Sequence, residues 1–300
     1  MIDSLPFTIS EGKSRNVVIL DHDVTGNDWE QWYLLRSDAH WDNPDSNREL
    51  QKQHLDEAIE RKAGILDFGD LFCAMQGKYD KRSSKSKVRE EHQVDHYLDS
   101  LVSTAADFHE PYAHNWVCQG SGNHETSIMK IHETHLLERL AQVLRDRTGA
   151  AFPLTGYTGW VWFRFAKNGN RYAKRLWHCH GYGGGGPVTK DMIQRNRQQG
   201  YIDADIMCSG HTHDQWVTYD VRMKLDGSGL VKRNRMAYIK CPTYKDEYKT
   251  GQGGWHIETG KPPKPLGAYW LRFFVTRKSH GDRKKKWDYS IDFEVREALA

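Results

Sequence analysis

Gly120-Ser121-Gly122-Asn123-His124-Glu125 follows a strand-like run, Asn115 to Gln119, and precedes a helical pattern. Glycines let the backbone turn sharply, and this turn delivers a neutral oxygen on Asn123 and an imidazole on His124 side by side. Such a pair suits a site where one group holds a metal and its neighbour meets a substrate. A Gly- and Asn-rich turn with a solvated His is common by itself. The stretch gains meaning only from other segments that end in the same way.

Downstream, Ile128, Ile131, Leu136, Leu140, Val143 and Leu144 recur at helical spacing across Ile128 to Arg147, so the stretch predicts a strand-to-helix corner. Upstream, Val94, Leu98, Leu101, Val102 and Ala105 predict a second helix, with Pro111 closing the segment. His92, His96 and His109 read as solvated there. Lys78 to Lys87, rich in Lys, Ser, Arg and Asp, reads as an exposed loop. Arg48 to Lys62 predicts a third helix with Leu50, Leu55, Ala58 and Ile59 inward and His54 at the surface or boundary. Gly64 to Phe68 is a short buried-strand pattern that ends in Gly69-Asp70.

Asn16 to Leu20 and Trp32 to Leu35 flank the turn Thr25-Gly26-Asn27-Asp28 and predict a hairpin. Asp21-His22-Asp23 resembles a metal pair but leads into an ordinary turn. Ser37-Asp38-Ala39-His40 is the better candidate, because an extended segment projects Asp38 and His40 to one side. Trp160 to Phe165 and Arg171 to Trp177 flank Asn168-Gly169-Asn170, a second hairpin, which ends in His178-Cys179-His180-Gly181. Gly183 to Gly186 lacks the Lys-Ser/Thr sequel of a phosphate loop and reads as a flexible exit. A helix near Lys190 to Gln199 and a strand, Asp205 to Cys208, lead to Ser209-Gly210-His211-Thr212-His213. Beyond, Trp216 to Met223, Met236 to Cys241, Tyr269 to Val275 and Trp287 to Val295 all read as strands.

The 300 residues, 38% hydrophobic and 12% aromatic, suffice for a buried core. No apolar run approaches the length of a transmembrane helix. Met1 to Ser10 has no basic start and no apolar stretch, so no secretion signal is expected and the cytoplasm is the default location. The five cysteines are odd in number and form no Cys-x-x-Cys pair, which argues against disulfides and a structural zinc. A formal charge of +3 does not announce nucleic acid. The basic clusters at Lys81-Arg82 with Lys85 and Lys87, at Lys232-Arg233 with Arg235, and at Arg283 to Lys286 read as solvated turns.

Strand ends thus supply Asp38 and His40, then Asp70, then Asn123 and His124, then His180, then His211 and His213. The carboxyl ends of strands in α/β architectures gather at one edge, so these groups are expected to meet in one crevice. Carboxylate, amide and imidazole together suit manganese, iron or zinc better than calcium or magnesium. Seven ligands exceed one tetrahedral ion, which points to two divalent metal ions.

In their order, Asp-x-His, Gly-Asp, Gly-Asn-His-Glu, His-Gly and Gly-His-x-His, the blocks resemble the calcineurin-like metallophosphoesterase superfamily over residues 32 to 245. Trp41 through Lys78 is also similar to uncharacterised bacteriophage-encoded members. The resemblance implies a four-layer α-β-β-α sandwich with mixed sheets. A single domain over 1–300 is expected, with the strands of 246–300 completing the second sheet. It implies one metal on Asp38, His40 and His213, a second on Asn123, His180 and His211, and Asp70 as the bridge. A hydroxide between the ions would be the nucleophile, and His124 would meet the phosphate or protonate the leaving oxygen. His180 matches the fourth block because glycine follows it, which leaves His178 to packing or support.

The implied activity is phosphoester hydrolysis, with manganese favoured. A phosphodiester substrate such as nucleic acid or a nucleotide is preferred, because His124 can assist an alkoxide leaving group. A phosphomonoesterase or protein phosphatase is the alternative, and a non-catalytic protein-binding scaffold a second. The Gly-Asp block departs from the pattern: it often continues to an acidic or amide residue, and here it reads Gly69-Asp70-Leu71-Phe72-Cys73. No membrane partner is expected, and oligomeric state is left open. Glu125 receives no chemistry beyond orienting neighbours or capping a helix that starts near Thr126.

Overall fold

A computed structural model describes residues 5–75, 87–184, 186, 188–249, 251–252, 255–279 and 287–298. Strands β1 (Phe7–Glu11), β2 (Val17–Asp23) and β3 (Glu30–Arg36) lead to helix α1 (Arg48–Glu60), then β4 (Gly64–Asp67), α2 (Tyr97–His109) and β5 (Trp116–Gly120). After α3 (Asn123–His132) and α4 (Leu136–Thr148) come β6 (Leu154–Gly156), β7 (Thr158–Lys167), β8 (Asn170–Cys179), α5 (Met192–Gln198) and β9 (Ile206–Ser209). Then follow β10 (Trp216–Leu225), β11 (Val231–Lys240), a helical turn α6 (Trp255–Glu258), β12 (Ala268–Ser279) and β13 (Trp287–Ala298).

The strands form two mixed sheets, ordered β1-β2-β7-β8-β9-β11-β10 and β13-β12-β3-β4-β5-β6. Alternation explains the layering. Along β7, Val161, Phe163 and Phe165 are buried while Trp162 is exposed, the period of two that a sheet imposes. Those inward residues join Leu20 and Ile239 of their own sheet and Tyr33, Leu66, Val117, Leu271 and Phe273 of the other in a core between the sheets. Each side chain of this size stabilises the fold by about 1.5–3 kcal/mol on burial.

The outer face of the six-stranded sheet presents Leu34, Ile65 and Trp116 to Leu55, Ala58, Leu101, Leu140 and Leu144, the apolar stripes of α1, α2 and α4. Over the seven-stranded sheet the cover is thin. Trp177, Met207 and Tyr238 pack with Ile202 beside α5, and the Arg195 guanidinium lies 4.1 Å from the Tyr238 ring centroid. The order is α-β-β-α, with a fourth layer reduced to one short helix. No helix among the described residues is long and apolar enough to cross a membrane.

The structure corrects several expectations. Val17–Asp23 and Glu30–Arg36 are not a hairpin: β2 pairs with β1 and β7, whereas β3 pairs with β12 and β4 in the other sheet. The stretch between them is a crossing between layers. Ile128 to Arg147 is two helices, because Glu133 takes a left-handed φ of 51° and ends α3, which leaves Ile131 exposed. Val94 lies before α2 and is exposed.

His54, His92 and His109 are buried rather than solvated. His54 Nδ1 bonds to Tyr244 Oη at 2.9 Å, His92 Nε2 to Thr104 Oγ1 at 2.9 Å, and His109 Nδ1 donates to the Ala105 carbonyl at 2.7 Å. The expected loop at Lys78 to Lys87 lies outside the described residues except for Lys87, which pairs with Asp45. The basic run 283–286 also lies outside them.

Candidate metal centre

The carboxyl ends of the parallel neighbours β3, β4 and β5 face those of β8 and β9 across the gap between the sheets. Asp38 and His40 follow β3, Asp70 follows β4, Asn123 and His124 follow β5, His180 follows β8, and His211 and His213 follow β9. Asp38, His40 and His213 form one cluster and Asp70, His180 and His211 another, with ligand atoms within 4.8 Å of one another in each. His40 Nε2 lies 3.2 Å from His213 Nε2. His180 Nε2 lies 3.1 Å from Asp70 Oδ2 and 3.2 Å from Asn123 Oδ1, which is 2.7 Å from His211 Nδ1.

These side chains do not project from extended backbone as expected for Asp38 and His40. Asp38 (φ 53°), His40 (46°), Asp70 (55°), His211 (74°) and His213 (56°) are all left-handed, a conformation that non-glycine residues rarely adopt. Each costs on the order of 1–3 kcal/mol, so the surroundings must impose it. The tethers are visible: Asp38 N–H donates to Gly69 O at 2.9 Å, His40 N–H to Asp70 O at 3.0 Å, and Thr243 Oγ1 and Tyr244 N–H donate to Asp38 O at 2.9 and 3.1 Å. Glycine is required where the loops touch. A Cβ on Gly122 would sit 1.9 Å from Asp70 Oδ1, and one on Gly210 2.3 Å from Asp38 Oδ2.

The donors fit cations. His180 Nδ1 donates to Phe68 O at 3.0 Å and His211 Nε2 to Gly183 O at 2.9 Å, so the opposite ring nitrogen of each carries a lone pair inward. Asp38 Oδ1 is buried without a hydrogen-bond partner, 3.3 Å from His213 Nε2. A buried carboxylate oxygen without a hydrogen-bond donor, facing imidazoles, is chemically suited to a cation. Without ions, protons take that role. Burial lowers the His180 pKa, yet Asp70 outweighs it and raises the value to about 9. Burial opposes the charged form of Asp70, yet His180 and His124 hold it well below the usual carboxylate range.

His124 stands beside the second cluster. Its Nδ1 bonds to Cys73 O at 2.6 Å, which leaves Nε2 facing Asp70 Oδ2 at 3.8 Å. Burial disfavours its proton, but Asp70 and Cys73, through its thiol and then its carbonyl, prevail and raise the pKa to about 10. His178 is elsewhere: it is fully buried, 2.8 Å from Thr155 Oγ1 and packed on Phe68. Its pKa falls to about 3 through burial and the neighbouring His180. Asp21-His22-Asp23 is not a metal pair either, since His22 is buried against Tyr33 and Phe165 and Asp21 pairs with Arg164.

Sequence reasoning missed Asp42, Arg36 and Asp67 as braces of the loops and gave Glu125 only a general orienting or capping role, which its bond from the Gly122 N–H bears out. Glu125 is 3% exposed and accepts from the N–H groups of Gly122 (2.8 Å), Phe72 (2.9 Å) and Asp70 (3.2 Å). It therefore locks the Gly69-Asp70 loop to the start of α3, which begins at Asn123 rather than near Thr126. Burial and the Asp70 charge raise its pKa to about 8.

Asp42 accepts from Cys73 N–H at 2.6 Å and Ala74 N–H at 2.8 Å. Below, the fully buried Arg36 pairs with Asp67 at 2.9 Å, and Asp67 also accepts from Gly69 N–H at 3.0 Å. An acid directly after His124 and another two residues after His40 were the available signals. Cys73 lies within 4.8 Å of ligand atoms of His40 and His124, and its Sγ accepts from Asn43 Nδ2 at 3.3 Å. All five cysteines are buried free thiols.

No protein-family model matches the chain, and no curated protein matches it. Solved structures with detectable likeness include Vps29 of Chaetomium thermophilum, at 7% identity and a TM-score of 0.35 over 90% of this chain and 98% of that one. Vps29 of Entamoeba histolytica, complexed with zinc, is 12% identical with a TM-score of 0.33, over 89% of this chain and 99% of that one. A metallophosphoesterase from Sphaerobacter thermophilus is 12% identical with a TM-score of 0.31, over 81% and 82%. Likeness this weak leaves the chemistry of the site to be decided by its own residues.

Proposed function

We propose that the chain is a phosphoester hydrolase that uses two divalent metal ions. The observation that carries this reading is the closeness of two donor clusters, linked by His180 Nε2 at 4.0 Å from Asp38 Oδ1, with His124 alongside and its Nε2 turned toward Asp70. Asp38, His40 and His213 would hold one ion, Asn123, His180 and His211 the other, and Asp70 both. When bound, the ions would supply Lewis acidity, which lowers the pKa of a water and neutralises charge on phosphoryl oxygens.

The protein's own groups do the rest. Cys73 O accepts from Nδ1–H and orients the His124 ring, and in the imidazolium form that its raised pKa favours Nε2 carries a second proton on the side of Asp70. From there it stabilises charge developing on the phosphate, or gives its proton to the leaving oxygen. Glu125 and Asp42 hold the loop that carries Asp70 and the Cys73 carbonyl. A donor set of imidazole, carboxylate and amide without thiolate suits manganese, iron or zinc, and manganese is the ion proposed first. A proton donor at Nε2 suits an alkoxide leaving group, and so a phosphodiester such as a nucleotide or nucleic acid.

The test is hydrolysis by manganese-loaded protein of a bis-aryl phosphate, a mono-aryl phosphate, single- and double-stranded DNA, RNA and cyclic dinucleotides. Diester turnover should exceed monoester turnover. His124→Ala should keep both ions and lose about two to four orders of magnitude in kcat. Unchanged turnover in that variant sinks the role of His124, and no hydrolysis of any substrate by fully loaded protein leaves a binding scaffold as the reading.

A further inference from the structure

We propose that a second copy of this chain pairs antiparallel with strand β10, about a two-fold axis at Val221. β10 is the last strand of the seven-stranded sheet. Its partner β11 is flanked by β9 only from Ala237 to Lys240, whereas β10 and β11 stay paired out to Leu225 and Val231. Outward of Met236 the hairpin is therefore a two-stranded arm among the described residues. Such an arm is marginally stable alone.

It also exposes what a monomer would bury. Val221, Met223 and Leu225 alternate onto one face of β10 and are 62%, 70% and 65% exposed, with Leu230 and Val231 at 59% and 58% beside them. An exposed apolar edge strand is a template for another strand. The arm is presented in a fixed pose, because Asp220 pairs with Arg195 and Arg222 donates to Asp203 and Gln199 O near α5.

Charge complementarity selects the occupant. A two-fold axis normal to the sheet keeps like faces together, so it must pass through a residue of β10. With the axis at Val221, Tyr219 faces Met223 of the second copy, Val221 faces Val221, and Val217 faces Leu225, while on the other face Asp220 meets Arg222. Moving the axis to Asp220 or Arg222 sets like charges directly opposite, and moving it to Met223 sets Arg222 against Lys224. Opposed like charges are destabilising across a strand pair. An axis at Tyr219 opposes no like charges but sets Met223 and Leu225 beyond the end of the facing strand, so Val221 is the register that both pairs Asp220 with Arg222 and joins the apolar residues of the outer arm. This inference does not depend on phosphoester hydrolysis.

Sedimentation equilibrium of the full chain tests it. A dimer is expected, with a dissociation constant of about 1–100 µM. Val221→Lys, which opposes two lysines at the axis, should weaken it at least about tenfold with an unchanged circular dichroism spectrum. An equimolar mixture of Val221→Lys and Val221→Asp, which opposes lysine to aspartate at the axis, should restore a dimer. A chain that is monomeric up to about 300 µM, a dimer indifferent to Val221→Lys, or a mixture no more dimeric than either variant alone would overturn the proposal.

Discussion

Replacing Glu125 probes how the site is braced. Its carboxylate accepts three buried backbone N–H groups, from Gly122, Phe72 and Asp70. A buried donor left without a partner costs about 1–3 kcal/mol, so Glu125→Ala carries a gross cost of roughly 3–9 kcal/mol. Two effects offset part of it: water can enter the vacated polar space, and the repulsion between Glu125 and Asp70 disappears. A net loss of about 3–5 kcal/mol is expected.

Glu125→Gln is milder. Its amide oxygen can keep Gly122 and Asp70, but its NH2 then faces the Phe72 N–H, which orphans one donor for about 1–3 kcal/mol. Both changes release the backbone that holds Asp70 left-handed, so metal affinity should fall roughly 10–100-fold, as for other groups that orient ligands. Urea unfolding with an unchanged m-value and elemental analysis of reloaded protein measure the two effects. Glu125→Ala within about 0.5 kcal/mol of the parent and with undiminished metal would refute the bracing argument.

Arg36→Met should cost about 3–5 kcal/mol in urea unfolding, because it leaves the Asp67 carboxylate buried without its 2.9 Å partner. A loss below about 1 kcal/mol would mean that Asp67 is held by Gly69 and Gln119 alone. Stability should also fall in acid through His22 and His109. Burial is the largest influence on each and lowers their pKa values from 6.5 to about 4 and about 3. The unfolded chain then binds more protons than the folded one between those values and 6.5, so their contribution is complete above pH 6.5 and is lost as pH falls. The slope is about 1.4 kcal/mol per unit for each residue. His109→Gln should flatten the pH dependence of unfolding between pH 6 and pH 4 by about that slope, and an unaltered profile would contradict the burial argument.

The legible parts of the fold were those written locally. The strand Trp116–Gly120, its glycine turn and the helix after it could be read because a period-two pattern stops and a 3.6-period pattern begins. The hairpin of β7 and β8 was equally plain around Asn168-Gly169. Which sheet a strand joins was not legible: β2 and β3 look alike in sequence, and only distant β7 and β12 separate them. His54 was misread for the same reason, since its partner is Tyr244, 190 residues away.

In the site, the seven ligand candidates could be named because each ends a strand, and the structure brings them to one cleft. Their left-handed backbones could not be foreseen. Those conformations are set by bonds such as Asp38 N–H to Gly69 O, which exist only once the sheets are assembled. The expectation that Glu125 orients neighbours or caps a helix holds at the Gly122 N–H, whereas its grip on the Phe72 and Asp70 N–H groups and the role of Asp42 depend on backbone partners distant in sequence.

The most direct test of the central claim is a count of metal ions. Protein stripped with chelator, reloaded with manganese and freed of excess should carry two ions per chain by elemental analysis. Asp70→Asn, which weakens the carboxylate proposed to bridge the two ions, should carry fewer than two. A stripped and reloaded wild-type chain that holds no manganese, iron or zinc would contradict the account, as would Asp70→Asn with both ions in place.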